Sequence, residues 1–397
     1  MEETVVTLKQ GEGRYLNAGG LWIYDNEIDR IDGRFKNGAI VSVRAFNGFD
    51  LGKGYINQNS KIRIRMLTRD PEQEIDDDFL RGRIKSAWQY RLDACETGSC
   101  RVIFGEADFL PGLVVDKYED VLVLQVLTLG MERLKDRIVP LLREVMEDTG
   151  FSVRGIYERS DAAERTKEGL EKVKGFIGEN FNPVFEIREN GVRYLIDVEN
   201  GQKTGFFLDQ KYNRLAVRSL CKEKTVLDCF TNMGTFALNA GLAGAAEVTG
   251  LDISELAVRQ AEENARLNGL EDRVHFRCVN VLDELPRLIA AGESYDVVIL
   301  DPPAFTKSRE ATKKAIRGYR EINMQGMRLV KKGGYLATCS CSHFMTRELF
   351  ERTVLEAARA THRRLCQVEA RTQGRDHPIL WASDETSYLK FYIFRVY

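Results

Sequence analysis

From Cys221 to the end of the chain, short apolar runs alternate with longer amphipathic stretches. That rhythm limits the fold more than any other feature. The runs are "TVLDCF", "EVTGLDI", "VHFRCV", "YDVVILDPP", "GGYLATCSCS" and "YLKFYIFRVY". Between them lie stretches with helical spacing, notably "SELAVRQAEENARLNGL" and "KKAIRGYREINMQGMRLVKKGG". Strands interleaved with helices predict a doubly wound, mostly parallel α/β sheet. Ligands of such sheets bind outside the carboxyl ends of the strands. The residues that close each run are therefore the ones to read for chemistry.

The rest of the chain has a different texture. With 397 residues the protein is too long for one ordinary core. Residues 1–72 show short alternating runs such as "AIVSVRAF" and "IRIRML", broken by "FNGFDLGKG", and read as a small all-β module. The acidic "DPEQEIDDDF" marks the boundary. Residues 73–190 mix a helix over "FLRGRIKSAWQYRLDA", strands "GLVVDKY" and "VLVLQVL", and an amphipathic helix through "MERLKDRIVPLLREVMED", which makes an α+β domain. Residues 191–397 form the α/β domain, entered through the strand "VRYLIDVE". The N-terminus lacks the apolar core of a signal peptide and no run reaches membrane-span length. Eight scattered cysteines predict reduced thiols in a cytoplasm, not a disulfide framework. The net charge of −2 argues mildly against a nucleic-acid binder, but binding depends on local patches. One such patch is "KIRIRMLTR", a strand with Lys61, Arg63 and Arg65 on one face.

In "VLDCFTNMGTFALNAG" a strand ends at Asp228 and a helix opens near Gly234. The turn carries one glycine where a dinucleotide fingerprint carries three, so a pyrophosphate is not the expected ligand. The next strand ends in "GLDIS", which places Asp252 where ribose hydroxyls are bound. Ser254 also suits a helix cap that Asp252 would support. Two acids at neighbouring strand ends favour an adenosine-type ligand without a diphosphate.

"LDCFTNMG", "GLDIS", "CVNVL" and "LDPPAF" resemble the successive motifs of class I S-adenosylmethionine-dependent methyltransferases, and "GQKTGFFLDQKYNR" is similar to an upstream segment of the RNA-modifying members. The resemblance implies a Rossmann-like class I methyltransferase sheet with S-adenosylmethionine as cofactor. It places Asp228, Phe230, Thr231, Asn232 and Gly234 along the methionine part, Asp252 and Ile253 at the ribose, and Asn280 and Val281 beside the adenine. Many relatives carry Asp where Asn280 stands. Gln202, Lys203, Phe206, Phe207 and Gln210 would close over the cofactor, although ordinary packing explains them equally well.

"LDPPAF" puts Asp301 at a strand end, followed by the stiff pair Pro302 and Pro303 and by Phe305, a ring that could stack on a flipped base. Similar sequences occur in enzymes that methylate exocyclic amines, so the motif indicates a base methyltransferase without naming the atom. The cysteines separate the cases. Carbon 5 of a pyrimidine becomes nucleophilic only after a thiolate adds to carbon 6, whereas amine methylation needs no thiol. RNA cytosine-5 methyltransferases carry a "TCS" cysteine after a Gly-Gly strand. Here "GGYLATCSCS" offers Cys339, the literal match, and Cys341. The distance from the glycine pair and the "SCS" pattern of large-subunit rRNA enzymes select Cys341, which is also nearer the strand's carboxyl end. Cys339 is the second choice and reads as a small buried hydrophobe. The C-x-C spacing argues against a zinc or redox site. Some relatives have a second cysteine where Pro303 stands, so Asp301 is expected to hold the cytosine N3 and amino edge and stabilise the adduct.

"GEGRYLNAGGLWIYDNEI" and "GFDLGKGYIN" resemble a PUA domain, a β barrel of RNA-modifying enzymes. The order PUA-like barrel, α+β domain, methyltransferase is similar to the bacterial 23S rRNA cytosine-5 methyltransferases of the large-subunit methyltransferase I type. The resemblance implies 23S rRNA or a large-subunit assembly intermediate as partner, no membrane, and a homodimer. Expected RNA contacts are Lys61, Arg63 and Arg65, Pro302, Pro303 and Phe305, and Lys313, Lys314 and Arg317 after "DPPAF". The competing readings are an rRNA guanine methyltransferase, which would leave the cysteines structural, and a cofactor-sensing assembly factor without turnover.

Overall fold

Seven strands of the carboxyl-terminal half make one sheet: β1 (Thr225–Cys229), β2 (Glu247–Asp252), β3 (Val274–Cys278), β4 (Tyr295–Leu300), β5 (Val330–Ser340), β6 (Leu365–Arg371) and β7 (Lys390–Val396), in the spatial order β3-β2-β1-β4-β5-β7-β6. The first five are parallel and β7 runs antiparallel between β5 and β6. The reversal of order beside β1 is a topological switch point, where a ligand crevice opens. The structure, a computed structural model, describes residues 4–306, 308 and 310–397. Lys307 and Arg309 of the "DPPAFTKSR" stretch lie outside them.

The sheet belongs to a unit of Arg188–Leu195, Asp209–Gly374 and Ser387–Tyr397. Its helices are α1 (Lys211–Arg218), α2 (Thr235–Leu242), α3 (Glu255–Leu267), α4 (Val281–Ala290), α5 (Thr312–Leu329) and α6 (Arg347–Ala360). Leu227, Leu251, Val298, Leu300 and Leu336 of the sheet share a core with Tyr319 and Ile322 of α5 and Phe350 and Val354 of α6. Three helix starts are capped by residues that follow strand ends or turns: Ser254 on Ala257, Asn280 on Leu282 and Thr346 on Leu349. Such caps satisfy amides that the helix leaves without partners.

One expectation is corrected and one strand was not foreseen. The helix expected through Gly334 stops at Leu329, and β5 begins at Val330. The partner of Tyr295 is Val330 while that of Val297 is Tyr335, so the residues between bulge outward. Gly333 turns there at φ 83°, and Lys331 reaches Asp296 at 3.1 Å. Tertiary pairing with β4 overrides the helix propensity of "VKK". The strand β6 escaped the sequence pattern because it is an edge strand, mostly exposed, with little apolar alternation.

The other unit comprises Met1–Ile187, Ile196–Leu208 and Arg375–Thr386. Its first part is a six-stranded sheet ordered Trp22–Tyr24, Ile62–Thr68, Asp50–Ile56, Ile40–Arg44, Val5–Leu8 and Ile28–Asp32. Its second part is a five-stranded sheet of Val173–Ile177, Gly155–Ser160, Val121–Val126, Leu113–Tyr118 and Ser99–Phe104, covered by the helices Asp77–Ala94 and Leu129–Asp148. Buried polar contacts join the parts: Tyr55 donates to the Pro111 carbonyl at 2.7 Å, and Arg65 pairs with Glu168 at 2.9 Å. Strands Val184–Glu189 and Val192–Asp197 meet at Asn190 and Gly191, both at positive φ (54° and 79°), as a tight hairpin of this hand requires.

Candidate active site

The loop after β1 is shaped by backbone that few residues adopt. Phe230, Asn232 and Gly234 all have positive φ, at 64°, 51° and 83°. At Gly234 a side chain would also meet Phe276 of β3 at 2.8 Å, so the single glycine of the motif is where helix α2 passes close to the sheet. The loop is held by two acids. Asp228 is fully buried; its Oδ2 accepts from the Thr231 hydroxyl at 2.6 Å and the Ala237 amide at 3.0 Å. Burial pushes its carboxyl up to about 7. Asp252 accepts the Asn232 amide on Oδ2 and the Ser254 amide on Oδ1, both at 2.9 Å, and so ties the turn after β1 to the turn after β2. The cap reading and the ligand reading of Asp252 are compatible, since each oxygen keeps a second lone pair.

These strand ends suit an adenosine bearing an amino acid. Asp228 Oδ1 is buried without a hydrogen-bond partner, an acceptor that a cationic amine would satisfy. Apolar Ile253 and Leu282 are 69% and 44% exposed beside Asp252 and Asn280, an uncovered surface on which a purine could lie. The Asn280 side chain caps α4 and donates to Asp283 at 2.9 Å, and Val281 is buried behind it. Gln202, Lys203, Phe206 and Phe207 belong to the unit of Met1–Ile187, Ile196–Leu208 and Arg375–Thr386. There Phe206 is buried and Lys203 lies over the Phe207 ring at 4.8 Å.

The ends of β4 and β5 carry a different network. Leu300 pairs with Thr338, so the next residues, Asp301 and Cys339, fall side by side. The Cys339 thiol donates to Asp301 Oδ1 at 2.8 Å. Gln210 Nε2 donates to the same oxygen at 3.1 Å and contacts Cys339 Sγ at 3.5 Å. Gln210 is held in turn by Asn213, and Asn213 by Arg371. Asp301 Oδ2 has no hydrogen bond among the described residues. Burial raises the Asp301 carboxyl, and burial together with the Asp301 charge raises the Cys339 thiol well above its ordinary value. Cys339 is thus an inaccessible thiol that orients a carboxylate.

Cys341 lies just past the end of β5. It is half-buried, with Sγ 4.0 Å from the Pro302 carbonyl oxygen. The serines on either side of it, Ser340 and Ser342, both bond the Tyr319 hydroxyl, at 2.9 and 3.0 Å. Lys390 Nζ donates to the Ser342 carbonyl at 2.7 Å. Pro302 is buried and Pro303 exposed. Phe305 is half-buried against Tyr319, with ring centroids 4.7 Å apart. Sequence reading missed Tyr319 and Lys390. A hydroxyl at a core position of α5 and a lysine opening the apolar run "KFYIFRV" were the available signals.

Of the expected cationic contacts, Lys313, Lys314 and Arg317 are exposed on the first turns of α5. Lys61 is exposed, and Arg63 donates to the Asn57 carbonyl at 3.2 Å. Arg65 is buried in its pair with Glu168, because the barrel packs that end of the strand against the α+β part. The cationic face is therefore shorter than the alternation suggested.

Comparison with known proteins agrees with this architecture. The family model for S-adenosylmethionine-dependent methyltransferases matches residues 169–395, and that for a PUA-like domain matches residues 6–69. The chain is 40% identical over 99% of both lengths to ribosomal RNA large subunit methyltransferase I of Shewanella denitrificans. It is 36% identical over 97% of both lengths to the protein of that name from Alteromonas mediterranea. Two solved structures share the fold at 18% identity. One is a chain assigned as a SAM-dependent methyltransferase from Streptococcus mutans, with TM-score 0.82 over 98% of this chain and 99% of that one. The other is a chain assigned as a methyltransferase, complexed with SAH, with TM-score 0.83 over the whole of both chains. The cofactor that the β1 and β2 ends fit is thus S-adenosylmethionine, and the chain belongs to the S-adenosylmethionine-dependent methyltransferases, within them to the ribosomal RNA large subunit methyltransferase I family.

Proposed function

We propose that the chain methylates carbon 5 of a cytosine in 23S ribosomal RNA, in the cytoplasm, with Cys341 as the nucleophile. The observation that carries this reading is the contrast between two thiols one residue apart. Cys339 is buried and bonded to Asp301, whereas Cys341 is only part-buried beyond the strand end, between two serines whose hydroxyls both bond Tyr319. A thiol held in place at a strand end is what addition to a pyrimidine requires and what amine methylation does not. The rRNA substrate is supported by the names of the relatives, which cover the whole chain, and by the PUA-like domain.

Bound S-adenosylmethionine supplies an electrophilic methyl group. The Cys341 thiolate adds to carbon 6 and makes carbon 5 enamine-like. Once carbon 5 carries the methyl group, its proton passes to solvent, the carbon–hydrogen pair restores the carbon 5–carbon 6 double bond, and the thiolate leaves with the sulfur–carbon 6 pair. Asp301 serves the base edge: its Oδ2 is available to the cytosine amino group, and its raised affinity for a proton suits it to hydrogen-bond N3 as the adduct forms. Phe305 and the Pro302–Pro303 segment shape the base pocket. The exposed Lys313, Lys314 and Arg317 and the barrel residues Lys61 and Arg63 supply phosphate contacts.

The test incubates the protein with labelled S-adenosylmethionine and either 23S rRNA transcribed in vitro or partly assembled subunits, then identifies the labelled nucleoside by mass. Labelled 5-methylcytidine that disappears with Cys341→Ala is the expected result. Labelled methylguanosine would overturn the reading and leave both cysteines structural.

A further inference from the structure

The strand β7 begins with a lysine that is 4% exposed. Lys390 pairs with Ser340 across the β5–β7 ladder, which aims its side chain along the face at the end of β5. Its Nζ donates to the Ser342 carbonyl at 2.7 Å and to the Tyr388 carbonyl at 2.8 Å. No carboxylate lies within ion-pair distance of it among the described residues. A buried ammonium held only by neutral carbonyls lacks its counter-charge.

We infer that Lys390 is a positioning residue that keeps the Cys341 thiol as a thiolate, serving as its counter-ion before addition to the substrate and after elimination from it. This deepens the reading above and rests on Cys341 being the nucleophile.

The groups around Lys390 leave few other partners. Those that act on its charge are Cys341 and Cys339, which favour it, and Arg347 of α6, which opposes it. Tyr319 of α5 faces the same cysteines and stays a neutral phenol, its hydroxyl pushed up to about 12 by burial. Cys339 is committed to Asp301, so Cys341 is the acid whose ionisation completes the pair. Burial lowers Lys390 to about 8, which leaves the ammonium charged near neutral pH and lets its support fade above that value. The thiol proton passes to solvent, leaving thiolate and ammonium. The thiolate's electron pair forms the sulfur–carbon 6 bond while the carbon 5–carbon 6 π pair moves into the ring. Elimination returns the pair to sulfur beside the same ammonium.

The test is alkylation of the native protein by iodoacetamide from about pH 5.5 to 9.5, with each cysteine followed by peptide mass. Cys278 and Cys366 are exposed thiols of the same chain and act as internal references. In the wild type the Cys341 midpoint lies below both references. In Lys390→Met it rises by about one pH unit, a roughly tenfold slower alkylation near neutral pH, while the references hold; Lys390→Arg restores it. A Cys341 midpoint unchanged by Lys390→Met, or one that moves together with the references, overturns the proposal. Should Lys390→Met fail to fold, the wild type decides: a Cys341 midpoint at or above the references overturns it. The cytosine-5 reading fails separately, if Cys341→Ala still forms the methylated nucleoside.

Discussion

The two halves of the crevice are built in opposite ways. At the ends of β1 and β2 the acids hold backbone: Asp228 takes the Ala237 amide and Asp252 takes those of Asn232 and Ser254. At the ends of β4 and β5 side chains hold one another. Cys339 and Gln210 meet on Asp301, and Ser340 and Ser342 meet on Tyr319. We read the first half as a cradle for the cofactor, a ligand of constant shape. The second is a set of exchangeable polar contacts around a thiol, suited to a group that must change charge during a reaction.

If that division of labour holds, the largest effect belongs to Cys341→Ala. Methylation falls by about 10³-fold or more, with cofactor affinity unchanged by calorimetry. Loss of cofactor binding in that variant would break the separation between the halves. Asp252→Ala does the reverse. It removes two charge-assisted backbone bonds and the ribose acceptor, and weakens cofactor binding by about 10- to 100-fold in the same assay. Retained affinity would show that the ribose is held elsewhere.

Cys339→Ala sharpens the contrast within the second half. Asp301 keeps its bond from Gln210, so turnover falls by about tenfold or less, at a stability cost of about 1.5–3 kcal/mol for a hydrogen bond to a charged group. Abolished turnover with normal folding would make Cys339 the nucleophile.

The smallest effect is a pH dependence in the first half. Burial raises the Asp228 carboxyl from 3.8 to about 7 in the folded chain. Below the unfolded value both states carry the proton and the group contributes no difference. Between about 4 and 7 only the folded state binds it, so stability falls as pH rises through that window and levels off above it. Asp228→Asn removes that fall, and its melting temperature gains on the wild type from pH 5 to pH 8. Parallel melting curves across that range would show that Asp228 is charged throughout.

The βαβ rhythm, the strand ends at Asp228, Asp252 and Asp301, and the helices over Asp77–Ala94 and Glu255–Leu267 were legible in the sequence. Each is a local matter of apolar spacing, capping residues and turn-forming backbone, and needs no distant partner to be recognised. The proposed cradle for the cofactor belongs to this class, since its contacts join neighbouring turns. The limits of α5, the edge strand β6 and the surroundings of the two cysteines were decided only by tertiary structure. Register alone places Cys339 beside Asp301, 38 positions away, and leaves Cys341 past the strand end. Tyr319 and Lys390 reach Ser342 from 23 and 48 positions away. A one-dimensional pattern reports which face a residue takes and not which residue of another strand stands opposite it, so which of two adjacent thiols is buried depends on sheet pairing.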